Sequence, residues 1–379
     1  MMLPVAFYQH KIIQMQAAME REGLDGVLLL DAINVNYAVG FHHIPSERPL
    51  GVFVPKYGKP ALFVPLLEQE NAADTWVTDI RAYFEYPGEE HPVVWMVREA
   101  GVERLGVDTL TVDVYRLLPD GVEITALIER MRWIKSAEEI TLIEQAAGYA
   151  DYCLELVRDH APAIIRDGGT ELDILKFCVG ETAAKLRREV GERFQLRGAA
   201  VVGTVHSGAR AALPHGSPIA RQPQRGELMI AGIGASVGGY HAESGATFVI
   251  GDPIGDQMRV LQAASDCNDA AVKALVPGRT CASVNSAALA VLRAYGFGDA
   301  IRHRIGHGMG LQGHESPWLA PGDATILEPG MVFSNEPGIY RPGIDGCRTI
   351  NSMIVTESAA IVPNRFLRDH PPEKRILTW

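Results

Sequence analysis

No two cysteines stand close together along this chain. The five present, Cys153, Cys178, Cys267, Cys281 and Cys347, are odd in number and form no Cys-x-x-Cys pair. That argues against a disulfide framework or a zinc–thiolate site and for small buried hydrophobes. No stretch approaches the ~18 apolar residues of a membrane span. The N-terminal Met1-Met2-Leu3-Pro4-Val5-Ala6 has no basic segment followed by a long apolar run, so no secretion signal is expected. Basic charge is also short: Lys+Arg 35 against Asp+Glu 46 gives a formal net charge of −11, without the basic run that nucleic acid would need. What remains is ordinary for a soluble, cytoplasmic enzyme, with 47% hydrophobic and 21% charged residues. At roughly 150 residues per domain, 379 residues allow two or three domains.

The first third alternates helix and strand. Apolar residues at helical spacing run from His10 to Arg21 (Ile12, Ile13, Met15, Ala18, Met19), and Glu22-Gly23 supplies a stop. The continuous apolar run Gly26 to Leu30 reads as a buried strand. Leu50 to Val54 and Pro60 to Val64 flank a Lys56-Tyr57-Gly58-Lys59 turn, and strand-like segments at Arg104 to Val107 and Gly121 to Ala126 close an α/β domain, residues 1–132. Residues 133–379 then form a second domain. Ser136-Ala137-Glu138-Glu139 is a capping box that opens a helix through Ile140, Leu142, Ile143 and Ala147. Further helices are predicted over Thr170 to Val190 and Asp256 to Leu275. Strands are predicted over Gly198 to Gly203, within Glu227 to Gly251, and at Met331 to Ser334 and Ser352 to Val355. Long helices over an antiparallel sheet make this half α+β.

Chemistry-bearing residues gather in four segments of the second half: Pro214-His215-Gly216; Gly232-Ile233-Gly234-Ala235 with Gly239-Tyr240-His241-Ala242-Glu243; Arg304-Ile305-Gly306-His307-Gly308 with Gly313-His314-Glu315; and Ser334-Asn335-Glu336-Pro337-Gly338. The glycines beside His307 are expected to let backbone approach a ligand. In this order, and with the Arg132-x-x-Lys135-Ser136-x-x-Glu139 entry, the segments resemble the pita-bread family of creatinase, prolidase, aminopeptidase P and methionine aminopeptidase. The resemblance spans essentially the whole chain and implies a creatinase-type α/β domain followed by a pita-bread α+β domain.

Metal-dependent members of that family hold two divalent ions with Asp, Asp, His, Glu and Glu, a donor set suited to manganese, cobalt or zinc. Carried over position by position, the resemblance puts Gly232 where the first aspartate belongs and Glu243 where the second belongs. It puts His307 at the histidine, Glu336 at the first glutamate and Ile350, two residues after Arg348, at the last. Two of the five positions carry no donor, so a two-ion centre is not expected. The resemblance keeps the acid–base set: His215 matches the histidine facing the reacting bond, and His314 the second active-site histidine.

Creatinase, the member that works without metal, has lost the same ligands and carries an arginine in the first-domain loop where Arg48 stands here. The leading expectation is therefore a creatinase-like, metal-independent hydrolase of a C–N bond in a small amidino, amide or imino-acid substrate. His215, His307, His314, Glu336 and Glu243 are its expected catalytic residues. Arg48, Arg348 and Glu315 are expected to bind substrate, with no cofactor and a homodimeric assembly. Two alternatives stand beside it. One is a Xaa-Pro dipeptidase or aminopeptidase with a single divalent ion (manganese, zinc or cobalt) on Glu243, His307 and Glu336. The other is a catalytically silent binding protein on a peptidase scaffold. Whether Glu243 turns into the site stays open, while His206, His241, His303 and Cys347 read as structural.

Overall fold

The structure, a computed structural model, describes residues 3–194 and 198–379. The chain divides into two compact units, Met1–Arg132 and Trp133–Trp379. In the first, a mixed six-stranded sheet has the order β4-β3-β2-β1-β5-β6, with β1 Gly26–Leu29, β2 Gly51–Pro55, β3 Ala61–Pro65, β4 Asp79–Tyr83, β5 Leu105–Val107 and β6 Val122–Ile124. The central strand β1 is buried along its whole length, as its unbroken Gly-Val-Leu-Leu run requires. The leading helix, Val5–Glu22, ends at Gly23 in the left-handed conformation, φ 69°, where a side chain would be strained.

Several helices of this unit, Ala32–Val39 and Pro92–Ala100 among them, escaped the periodicity reading. Ala32–Val39 alternates small, β-branched and amide residues and shows no clean apolar stripe. It forms because the Asp31 carboxylate caps it, accepting from the amides of Ile33 at 2.8 Å and Asn34 at 3.3 Å.

In the second unit, the helix Ala137–Arg166 opens on the expected capping box: the Ser136 amide donates to Glu139 Oε2 at 2.8 Å, and the Glu139 amide to Ser136 Oγ. It is followed by Glu171–Phe194. An antiparallel sheet follows the path β11-β10-β12-β15-β9-β8-β7. Its strands are β7 Ala200–Ser207, β8 Leu228–Val237, β9 Tyr240–Ile250, β10 Gly306–Gly308, β11 Glu315–Leu319, β12 Val332–Asn335 and β15 Ile350–Val355. A two-stranded ribbon, β13 Gly338–Arg341 with β14 Asp345–Arg348, leads into β15.

Helices Gln257–Ala274 and Cys281–Ala294 pack with the sheet around one core that includes Val260, Leu261, Val284, Phe333, Cys347 and Met353. Burying each such aliphatic or aromatic side chain contributes roughly 1.5–3 kcal/mol. All five cysteines are free and buried. Cys347 is a core residue, its thiol pushed up to about 11 by burial.

Candidate active site

Sheet register decides which side chains meet. His307 on β10 lies opposite Ser334 on β12, and Ser334 lies opposite Ser352 on β15. The Glu243 amide on β9 donates to Ser352 Oγ at 3.0 Å. Two small serines thus separate His307 from Glu243, and the carboxylate reaches over them: Ser334 Oγ donates to Glu243 Oε2 at 2.7 Å. Glu243 therefore turns inward. Burial raises its pKa, opposed in part by the Ser334 hydrogen bond and the charge of Arg348.

His307 is fully buried, and burial depresses its pKa to about 4, so the ring is neutral near pH 7. Its Nδ1 lies 3.1 Å from the Gly308 carbonyl and donates to it. That leaves the lone pair on Nε2, which has no hydrogen-bond partner and lies 3.5 Å from Glu336 Oε1. Two acceptors facing one another call for a proton or a cation between them. The exposed His314 ring stacks on His307 with centroids 3.7 Å apart. Glu243, His307 and His314 each offer a ligand atom within 4.8 Å of the others.

Contrary to the expectation from sequence, the flanking glycines serve strand contact and not a ligand. A Cβ on Gly306 would stand 1.9 Å from the Ser334 carbonyl oxygen, and one on Gly308 would stand 2.6 Å from that of Ser316. Close approach of strands, not of substrate, demands glycine there.

The other half of the site is apolar. Gly232 on β8 pairs with Gly245 on β9, and Gly245 with Ile350 on β15. A Cβ on Gly232 would meet Ile350 Cδ1 at 3.3 Å and Arg348 Nη2 at 3.2 Å, and one on Gly245 would meet Ile350 Cδ1 at 2.7 Å. The isoleucine fills the space that two glycines open. A second ion does not fit there, because neither Gly232 nor Ile350 offers a donor atom and the volume is taken by methyl groups. One ion on the polar half fits: a buried neutral imidazole with an orphaned nitrogen, a second imidazole and an inward carboxylate are suitable ligands.

Arg348 is buried. Its Nη1 donates to the Pro214 carbonyl at 3.0 Å, it hydrogen-bonds the Tyr340 hydroxyl, and its Nε has no partner. Tyr340, which no motif had marked, lies 2.8 Å from His303 Nε2, whose Nδ1 is 2.7 Å from the Arg304 carbonyl. The carbonyl fixes the proton on Nδ1, so Tyr340 donates to Nε2 and its oxygen accepts from Arg348. His303 and His206 are lowered in pKa by burial, and His206 Nε2 contacts Thr204 Oγ1 at 2.5 Å. Both act as internal hydrogen-bonding groups. Tandem polar residues of this kind are invisible in a single sequence, because only the fold brings positions 303, 340 and 348 together.

Two expected substrate groups pair with neighbouring charges. Glu315 is buried and pairs with the buried Lys135 at 2.9 Å, so it anchors the β11 start to the entry of the first helix of this unit and is not a substrate ligand. Arg48, in the first unit, is held by Glu85 at 2.6 Å and by Glu47. His215 stands exposed in the loop after Gly208–Ala212, outside the Glu243–His307–His314 cluster.

The profile of "Metallopeptidase family M24" matches residues 141–357, more than half of the chain, and that of "Creatinase/Prolidase N-terminal domain" matches residues 11–134. The chain belongs to metallopeptidase family M24. It is thereby a hydrolase acting on C–N bonds, of the creatinase and Xaa-Pro peptidase group. It is 30% identical to the Xaa-Pro dipeptidase of Lactobacillus helveticus, over 91% of this chain and 94% of that one. Among solved structures it is similar to dipeptidase PepE from Mycobacterium ulcerans, with TM-score 0.86, 29% identity and 99% of both chains covered. It is also similar to the Xaa-Pro dipeptidase from Bacillus anthracis, with TM-score 0.78, 26% identity, and 94% and 98% covered. The M24 pita-bread fold expected from the motifs is thus the one observed. In this chain the apolar half built on Gly232, Gly245 and Ile350 leaves no side-chain donor for a second ion.

Proposed function

We propose that this M24 member cleaves the C–N bond of a small Xaa-Pro-like dipeptide with the help of one divalent ion. The observation that carries the reading is the convergence of Glu243, His307 and His314 within 4.8 Å around the orphaned His307 Nε2. These three residues would hold the ion, with Glu336 beside them. When bound, it supplies Lewis-acid activation of the scissile carbonyl and of water.

The chain's own groups do the rest. Neutral His307 adds no charge of its own. The Glu336 and Glu243 carboxylates orient water and the substrate's cationic end. His215, open to solvent, carries protons to and from the leaving nitrogen. Arg348, whose Nε has no hydrogen-bond partner, receives the substrate carboxylate. The same reading has the protein acting in the cytoplasm as a homodimer. The likeness to named Xaa-Pro dipeptidases over more than nine-tenths of the chain supports the peptide substrate over a creatine-like one.

The second reading is the metal-free, creatinase-like hydrolase, favoured by the loss of ligands at Gly232 and Ile350. Elemental analysis combined with assays on Xaa-Pro dipeptides separates the two. One equivalent of manganese, zinc or cobalt per chain, with turnover lost to a chelator and restored by the ion, is the expected result. Chelator-resistant turnover would support the metal-free mechanism. No cleavage of any Xaa-Pro dipeptide by ion-loaded protein would sink the substrate assignment.

A further inference from the structure

On the face of the sheet turned away from the ion-binding cluster, buried acceptors lack donors. Side chains alternate along extended chain, so Thr349 and Asn351 point to the side opposite Arg348 and Ile350, whose tips approach Gly232. On that side they meet helix Gln257–Ala274. Asn335, opposite Asn351 in the sheet, donates through Nδ2 to Asn268 Oδ1 of the helix at 2.8 Å. Thr349, Asn351 and Asn335 are buried, and Thr349 Oγ1, Asn351 Oδ1 and Asn335 Oδ1 all lack a hydrogen-bond partner. Cys347 and Met353, the next positions along the same face, are apolar core, so these oxygens form a polar island. Buried acceptors without donors are costly, and a ligand that brings N–H groups removes that cost.

A cleft of roughly 380 Å³ is lined by Thr349 and Asn351 from the strand and by Asn268 and Asp269 from the helix. That is the small end of the roughly 300–1,000 Å³ range of small-molecule sites. The exposed Asp269 carboxylate accepts from Asn268 Nδ2 at 3.3 Å and forms no ion pair among the described residues. Arg368 also lines the cleft, with Nε on Asp369 Oδ1 at 3.1 Å and both Nη groups unpartnered among the described residues. Val272, Val362 and Leu367 supply an apolar wall. The oxygens and Asp269 repel a free anion. A bare metal cation is opposed in turn by Arg368 and by the buried Arg375, which lies within electrostatic range of Asp269. A net-neutral ligand with both charges and a short apolar body suits every group in the lining.

We propose that this cleft binds a small apolar α-amino acid, with its ammonium on Asp269 and the Thr349 and Asn351 oxygens and its carboxylate on Arg368. The ammonium supplies three donors to a lining that is short of them, and the guanidinium fork matches the carboxylate. The Asn351 carboxamide turns its oxygen toward the ammonium with no change of shape. The side chain lies against Val272, Val362 and Leu367. The site stands behind the strand that carries Ile350, is independent of the dipeptidase reading and uses none of its residues.

The test is isothermal titration calorimetry of the full chain with L-valine, isobutylamine and isovalerate, the last two being valine without its carboxylate and valine without its ammonium. L-Valine is expected to bind, and each truncated compound to bind at least about threefold more weakly. Asp269→Asn is expected to weaken valine binding roughly tenfold or more. Arg368→Gln is expected to weaken it roughly three- to fivefold while leaving isobutylamine unchanged. Both residues are exposed, so both variants are expected to fold. His307→Ala should bind valine as the wild type does, which separates this site from the ion-binding cluster. Wild-type crystals soaked in valine should show it against Asp269. Isobutylamine or isovalerate matching valine would overturn the amino-acid assignment. No valine binding, binding unchanged in Asp269→Asn, or binding lost in His307→Ala would each overturn the site, as would soaked crystals holding only water or a metal ion in the cleft.

Discussion

The two halves of the site lie on one sheet a few ångströms apart and are built on opposite principles. The half around His307 keeps polar groups buried and underpartnered: an orphaned imidazole nitrogen, an inward Glu243 and a stacked His314. The half around Ile350 offers an ion no lone pair, because Gly232 and Gly245 clear a space that the isoleucine fills. The first half carries unsatisfied bonding capacity at a cost in stability, as functional sites do, while the second is ordinary core packing. Loss of function and loss of stability should therefore separate cleanly between the two.

Glu315 offers the largest effect, and it tests where the polar half ends. Although adjacent to His314 in sequence, it belongs to a buried ion pair with Lys135. Glu315→Gln is expected to destabilise the fold by about 3–5 kcal/mol, because the lysine is left buried and alone. Urea denaturation of the single variant and of a Lys135→Met, Glu315→Leu double variant checks this. A double variant no more stable than the single one would contradict the pairing.

Ile350→Ala comes next, at about 2–5 kcal/mol of stability for a buried isoleucine that fills a cavity. Activity should stay within a few-fold of wild type at a temperature where the variant is folded. A variant with unchanged stability but no activity would move Ile350 into the catalytic half and break the comparison.

His307→Ala should do the reverse. kcat/KM on a cleaved dipeptide is expected to fall by about a hundredfold or more, with retained circular dichroism. Bound divalent ion, measured by elemental analysis, should fall with it. Wild-type activity in this variant would leave the polar half without a function.

Much of this was legible in the residues. The Ser136–Glu139 capping box, the buried Gly26–Leu29 strand and the ordered His215, His307, His314 and Glu336 segments all carry local signals: a cap, an apolar run, a motif. The absence of donors at Gly232 and Ile350 was equally plain, since a side chain without a lone pair cannot become a ligand. Glu315 was misplaced because its partner lies 180 positions away and sequence adjacency to His314 was the sole guide. The helix Ala32–Val39 was missed because its stability comes from one capping carboxylate and not from a periodic stripe.

The five scattered cysteines, the weak basic charge and the motif order were enough to set the class of protein and the donors it could offer, because those depend on residue identity alone. Which donors converge was a matter for the tertiary structure. Cross-strand register placed Glu243 over Ser334 beside His307 and laid Ile350 into the gap between two glycines. Contacts of this kind join positions tens to hundreds of residues apart, and one sequence read along its length holds no signal for them.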